Sequence, residues 1–260
     1  MNKSILLKIK NQVAYITFNR PDVFNSFDRE MALLLQSTLD DCEKNSEVRS
    51  IVLNGNGKAF CAGQDLKEVT TPELNPGFKK ILEEHYNPII TRIRNINKPI
   101  IAAVNGVAAG AGANIALACD VVVASENVSF IQAFSKIGLV PDSGGTYFLP
   151  RLIGFQKASA LMMFGDKIPA KEAEALGMIY KVFPVDTFNE EVNKIATHLA
   201  NMPTKALGFI KRMLNESMTN TLEQQLDLEG KLQIEAAQSE DYIEGVNAFI
   251  QKRNPIFKGK

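Results

Sequence analysis

The chain reads as an α/β protein whose last third is helical. Over the first two-thirds, short apolar runs alternate with segments of helical spacing; from Thr187 to about Lys252 the pattern is helical alone. An internal echo adds to this. IVLNGNG at 51–57 and IAAVNG at 101–106 each end an apolar run in Asn-Gly, as expected of a repeated build.

The elements follow in order. Ile5 to Ile9 and Val13 to Phe18, with Asn11-Gln12 between them, predict a hairpin. Asp28 is a candidate N-cap for a helix from Arg29 to about Lys44, with Met31, Leu34, Leu35 and Leu39 on one face. Val48 to Leu53 is a buried type of strand, Ala59 to Gly63 is short and apolar, and Asp65 to Val69 starts a helix. The polar segment from Thr70 to Gly77 predicts a loop. Phe78 to Asn95 has helical spacing, and Pro88 within it predicts a break or kink. Strands are expected at Ile100–Val104, Val121–Ala124 and Tyr180–Phe183, with a short strand or loop at Ser129–Phe134. Helices are expected near Thr146–Leu152, Gln156–Phe164 and Ala170–Leu176. The division predicted is a core over residues 1–195 and a helical region over 196–260.

Composition narrows the functional classes. At 260 residues the chain is 45% hydrophobic and 22% charged, ordinary for a protein with a substantial core. A formal net charge of zero gives no bulk attraction to nucleic acid or membranes, so neither is expected as a partner. Three cysteines without metal spacing, and two histidines far apart, predict no metal site. No apolar run reaches 18 residues, and the first apolar stretch is short for a signal peptide. A reducing, cytoplasmic setting is expected.

The stretch from Asn105 to Asp120 is where chemistry is concentrated. An apolar run leads into Gly110-Ala111-Gly112, and an apolar helical run follows. Glycine there lets backbone approach a ligand, and the first turn of a helix offers N–H groups without partners. Such a turn favours negative charge on an oxygen. A dinucleotide fingerprint is the rival reading; it lacks the third glycine and the acidic residue about 20 positions on. Two further stretches stand out. One is Ala59-Phe60-Cys61-Ala62-Gly63-Gln64-Asp65-Leu66-Lys67. The other runs from Phe130 to Thr146 and includes Pro141-Asp142-Ser143-Gly144-Gly145. Taken singly, each is also explained as turn punctuation, with Asp142 or Ser143 as a helix cap.

Together these stretches, with Asn19-Arg20-Pro21, Asn25 and the ending Ala248-Phe249-Ile250-Gln251-Lys252-Arg253, resemble the crotonase family of enoyl-CoA hydratases and isomerases. The resemblance covers nearly the whole chain in order. It implies a crotonase-like spiral of ββα repeats with a helical C-terminal region, assembled as a homotrimer or a dimer of trimers. It implies an acyl-CoA thioester substrate, with coenzyme A as part of the substrate and no separate cofactor. Two backbone N–H groups, by position those of Gln64 and Ala111, would hold the thioester carbonyl. Ala62, Asp65 and Leu66 would lie near the adenine and Lys67 near a phosphate. Phe249 and Lys252 would reach coenzyme A from the C-terminal helices, and Gly110, Asn114 and Phe134 would border the substrate.

The chain departs from the hydratases at two places. Where they carry catalytic glutamates it has Asn114 and Phe134, and neither side chain is a general acid or base. A different carboxylate, Asp142, stands where hydratases commonly have glycine. Flanked by Val140 and Pro141, it is expected to have a raised pKa and to shuttle a proton between carbons, which is isomerisation. Within the family, the stretches Ile137–Thr146, His85–Pro88 and Arg253–Lys260 most resemble the ring-1,2-epoxyphenylacetyl-CoA isomerases. An enoyl-CoA hydratase, a Δ3,Δ2-enoyl-CoA isomerase, and a non-enzymatic acyl-CoA-binding or RNA-binding member are the alternatives.

Overall fold

In the computed structural model, which describes residues 3–260, the expected hairpin is present. Strand β1 (Ile5–Lys10) pairs antiparallel with β2 (Val13–Phe18) across Asn11 and Gln12, both at positive φ. Asp28 caps helix α1 (Arg29–Lys44), its carboxylate accepting from Met31 N at 2.9 Å. Strand β3 (Ser50–Gly55) turns a corner into β4 (Ala59–Cys61), and Asp65 caps the short helix α2 (Leu66–Thr70).

The segment from Phe78 to Asn95 stays helical through Pro88, against the expected break. Helix α3 (Phe78–Lys80) runs into a π-helical turn over Ile81–Tyr86 and on into α4 (Asn87–Asn95), where Pro88 lies in the first turn. Pro88 has no N–H to offer the Glu84 carbonyl. Gln36 of α1 supplies the missing donor, with Nε2 2.7 Å from Glu84 O and 3.2 Å from His85 O.

The stretch read as strand, glycine turn and helix contains one more strand than expected. After β5 (Ile100–Val104) comes β6 (Val107–Ala109), then α5 (Ala111–Leu117) with Gly110 as its N-cap. β7 (Val121–Ser125) and β8 (Ser129–Ile131) repeat the arrangement. Helices α6 (Gly145–Ile153) and α7 (Phe155–Phe164) follow, then an unanticipated strand β9 (Lys167–Pro169), α8 (Ala170–Ala175) and β10 (Lys181–Phe183). Three residues are too few to show a strand period, which is why β6 and β9 escape a reading by pattern.

The strands lie in two sheets. One has the order β1-β2-β3-β5-β7-β10, parallel from β2 onward; the other has the order β4-β6-β8-β9. Each pair β3–β4, β5–β6 and β7–β8 gives one strand to each sheet, so the chain advances as a coil of ββα turns. The Asn-Gly echo is the stacking of two corners in this coil. A Cβ on Gly55 would overlap the Ala59 carbonyl oxygen, and one on Gly106 would overlap that of Lys58. Asn105 ties the corners, accepting from Gly55 N at 2.9 Å and donating to Gly57 O at 3.2 Å.

Both faces of the inner strands β3, β5 and β7 are buried, so they read as apolar runs rather than alternating, while edge strand β1 is exposed from Leu6 to Lys10. Ile16, Phe18, Ile51, Leu53 and Ile100 face the interior of the coil. Val13, Val52, Ile101 and Val123 face helix α9 (Phe188–Asn201), which covers them with Phe188, Val192, Ala196 and Ala200. This helix spans residues 195 and 196, between the two expected regions. Helices α10 (Thr204–Glu216), α11 (Leu222–Ala236) and α12 (Glu240–Ile250) complete the chain. Buried Arg49 binds this last third to the core. Its guanidinium donates to Thr204 Oγ1 at 2.8 Å, Met202 O at 2.6 Å and Phe257 O at 2.8 Å.

Candidate active site

Two turns of the coil meet at Gly63-Gln64 and Gly110-Ala111. After β4, Phe27 N donates to Gly63 O at 2.7 Å, and Asp65 N donates to Phe27 O at 2.8 Å. This bridge fixes the peptide that carries the Gln64 N–H and the one that follows it. After β6, Gly110 at φ 53° turns the chain into α5, so that Ala111 is its first residue. The two turns touch because position 63 has no side chain: a Cβ there would lie 3.4 Å from Ala111 N and 3.1 Å from Ala109 O. Gly112 does the same one residue later, since a Cβ on it would overlap the Cys61 carbonyl oxygen. Among the described residues neither the Gln64 N–H nor the Ala111 N–H donates to another protein group. The arrangement is a pair of neighbouring donors without acceptors, able to receive one oxygen.

Asp142 is brought to the same end by α5. Asn114, on the first turn of that helix and fully buried, donates from Nδ2 to Asp142 O at 2.9 Å and accepts from Gln132 Nε2 at 2.8 Å. Gly145 N also donates to Asp142 O, at 2.9 Å. Ser143, at φ 52°, donates its hydroxyl to Asp142 Oδ1 at 2.8 Å. Burial pushes the Asp142 carboxyl above its ordinary value of 3.8, and the Ser143 hydrogen bond only partly opposes this. Neither Asp142 nor Ser143 caps α6; Gly144 occupies that position. Phe134, 7% exposed, packs over Gly110, its ring 3.7 Å from where a Cβ would stand.

The remaining expected residues divide into two groups. Ala62, Leu66 and Lys67 are exposed beside Gln64, while Asp65 is buried and occupied: its carboxylate accepts from Lys67 N at 2.9 Å and pairs with Arg20 at 2.7 Å. Arg20 also pairs with Asp28 at 2.9 Å, so one guanidinium joins the caps of α1 and α2. Phe249 lies at the exposed end of α12 and Lys252 just beyond it, and no hydrogen bond or ion pair joins them to the Gln64–Ala111 turns. His85 is fully buried, with Nε2 3.4 Å from Arg29.

Reading the sequence did not single out three side chains at this end of the molecule: Gln132, Glu68 and Tyr86. Gln64 Nε2 donates to Glu68 Oε2 at 2.6 Å, and the Tyr86 hydroxyl donates to Gln64 Oε1 at 3.0 Å. The spacing Asp65-x-x-Glu68 is a usable signal, since it resembles a capping box; Tyr86 lies in the His85–Pro88 stretch that carries the resemblance, but nothing there points to a contact with Gln64.

Among the described residues no cluster of three or more His, Cys, Asp or Glu is gathered, and no helix is long and apolar enough to cross a membrane. A 580 Å³ cavity lies elsewhere, between α6 and α10, lined by Leu117, Phe148, Ile210 and Leu214.

Residues 8–260 match the family model described as enoyl-CoA hydratase/isomerase. The chain is 44% identical to 1,2-epoxyphenylacetyl-CoA isomerase of Escherichia coli K12, over 100% of both sequences. It is 35% identical to trans-2-decenoyl-[acyl-carrier-protein] isomerase of Streptococcus mutans, over 99% of each. Its fold superposes on the crystal structure of an enoyl-CoA hydratase of Bacillus anthracis with a TM-score of 0.92, at 31% identity, covering 99% of this chain and 100% of the other.

Proposed function

Because this chain belongs to the enoyl-CoA hydratase/isomerase family, we propose that it is an acyl-CoA isomerase that converts ring-1,2-epoxyphenylacetyl-CoA to the oxepin and shifts enoyl-CoA double bonds. One observation carries the reading. At the positions of the two hydratase glutamates stand Asn114, whose amide is committed to Gln132 and to the Asp142 main chain, and the apolar Phe134. The carboxylate beside them is Asp142, with a raised pKa.

In the proposed reaction the thioester oxygen accepts from the Gln64 and Ala111 amides. As a proton leaves the substrate carbon, charge develops on that oxygen, and donors already aimed there favour it; one such donor is typically worth ~10²–10³ in rate. The ionised Asp142 takes the proton from one carbon and returns it to another, so no atom is gained or lost. Its raised pKa brings it nearer the range useful for a base at neutral pH. Phe134 keeps water from the acyl chain. Epoxide-to-oxepin conversion is likewise isomeric and needs no added reactant.

Ala62, Asp65 and Leu66 would take the adenine side and Lys67 a phosphate, while Gly110 and Asn114 shape the acyl end. Phe249 and Lys252 would reach coenzyme A from α12 of a neighbouring subunit, in a homotrimer or a dimer of trimers. The exposed apolar face of α12 supports this: Phe249 is 86% exposed and Ile250 71%. Coenzyme A enters as part of the substrate, and no separate cofactor is invoked.

The test is to incubate purified protein with crotonyl-CoA, a 3-enoyl-CoA and the epoxide, following products by mass and absorbance. Conversion of the last two is expected, with hydration at least about a hundredfold slower because no general acid–base pair serves water. Hydration as fast as isomerisation would overturn the proposal. It would favour the hydratase reading, which the likeness to the Bacillus anthracis structure supports.

A further inference from the structure

The N–H proposed to meet the substrate carbonyl belongs to the peptide between Gly63 and Gln64. Gly63 sits at φ +92° with no Cβ, and the carbonyl of that peptide is held by Phe27 N at 2.7 Å. A second restraint comes through the Gln64 side chain. The Gln64 side chain is gripped at both ends, Nε2 by Glu68 at 2.6 Å and Oε1 by Tyr86 at 3.0 Å. Chemistry fixes which end is which: a carboxylate only accepts, so the amide nitrogen must face Glu68, and the phenol must then donate to the amide oxygen.

Both holders are anchored in turn. Glu68, 8% exposed, accepts with its second oxygen from Arg29 N at 2.8 Å, the first residue of α1. Tyr86, 1% exposed, stands at the end of the π-helical turn. Its backbone neighbourhood is pinned by Gln36, which holds the Glu84 and His85 carbonyls. Turns of this kind re-aim side chains relative to a regular helix and are frequent at functional sites. Gln64 is thereby fastened to two helices that belong to neither of the touching turns.

We propose that Glu68 and Tyr86 are positioning residues that aim the Gln64 N–H through the Gln64 side chain, an inference that rests on the acyl-CoA reading above. They touch no reacting atom. Their effect is on how strongly the thioester carbonyl is polarised.

The experiment reads that polarisation directly. Hexanoyl-CoA labelled with ¹³C at the carbonyl cannot isomerise, and its carbonyl stretch is followed by infrared difference spectroscopy on the full-length protein. With wild-type protein the band moves to lower wavenumber on binding. With Tyr86→Phe and with Glu68→Gln a measurable part of that shift is lost while hexanoyl-CoA still binds. The same variants lose about tenfold in kcat on a 3-enoyl-CoA, with KM held within about twofold, as expected when an interaction tightens in the transition state. Gln64→Met removes both hydrogen bonds, so adding Tyr86→Phe to it changes nothing further. Full wild-type shifts in both single variants would overturn the inference, as would additive losses in the double variant. A wild-type band that does not move on binding would overturn the carbonyl assignment itself, and the inference with it.

Discussion

Asn114 Nδ2 donates to the main-chain oxygen of Asp142 at 2.9 Å, so the helix that begins at Ala111 holds the loop that carries the carboxylate. A donor turn and an acidic loop separated by some thirty positions are thereby one rigid body. Asn114→Ala deletes the link and orphans the buried Gln132 amide. Stability is expected to fall by about 1–3 kcal/mol, the range for unsatisfied buried polar groups. Urea denaturation measures it, and isomerase turnover should fall with it.

Asp142→Asn keeps the shape of the side chain and removes the base. Isomerisation of a 3-enoyl-CoA is expected to drop by ~10²–10⁴-fold. Titration calorimetry with the substrate should give wild-type affinity. Activity within tenfold of wild type would remove Asp142 from the role of base.

The same substitution has a signed effect on stability. The folded pKa of Asp142 lies above 3.8, so ionising the carboxyl costs more in the folded protein than in the unfolded chain. The stability tied to its neutral form is present below 3.8 and is lost as pH rises through the folded value. Asp142→Asn should therefore melt higher than wild type at pH 7, with the gap closing below pH 3.8; thermal melts across that range test it.

Ala111→Pro removes one donor with little damage to the fold. Ala111 is the first residue of α5, where proline is tolerated because that N–H has no helical partner. The circular dichroism spectrum should stay native while kcat/KM falls ~10²–10³-fold. Full activity would show that the Ala111 amide carries no charge development.

Gly112→Ala damages the contact between the two turns. Its Cβ would meet the Cys61 carbonyl oxygen, which is backbone and cannot rotate away. An overpacking cost of about 1–3 kcal/mol is expected by denaturation, with activity lost as Ala111 is pushed from Gln64. Gly110→Ala has open space around the new Cβ, with Phe134 no nearer than 3.7 Å, but φ 53° and ψ −128° lie in a region essentially reserved for glycine, so a backbone strain of about 3 kcal/mol is expected.

How far the sequence could be read follows from where each signal lives. The cap and face of α1 are legible because Asp28 and the spacing of Met31, Leu35 and Leu39 sit within one helix. The passage of the helix through Pro88 is not, because its rescuer, Gln36, lies 48 residues from the carbonyl it satisfies. Gln64 and Ala111 lie in recognisable motifs and fall on adjacent turns of the coil. Glu68 shows the limit of local grammar. Its place three residues after the Asp65 cap suggests a reach back to the cap, yet it binds Gln64 and Arg29 instead. Tyr86 owes its position to a π-helical turn that no hydrophobic period announces.

Arg49 has a consequence for the order of assembly in time. Its three partners are 153, 155 and 208 positions away. Contacts of such separation require the intervening chain to be organised first, since closing a long disordered loop is entropically unfavourable until other contacts shorten it. Arg49 is therefore expected to close late, after the coil and the terminal helices have come together, and Arg49→Ala to speed unfolding more than it slows folding in stopped-flow measurements. Interactions made after the folding transition state govern the rate of unfolding rather than of folding, so the lifetime of the folded enzyme rests in part on a residue remote from its chemistry.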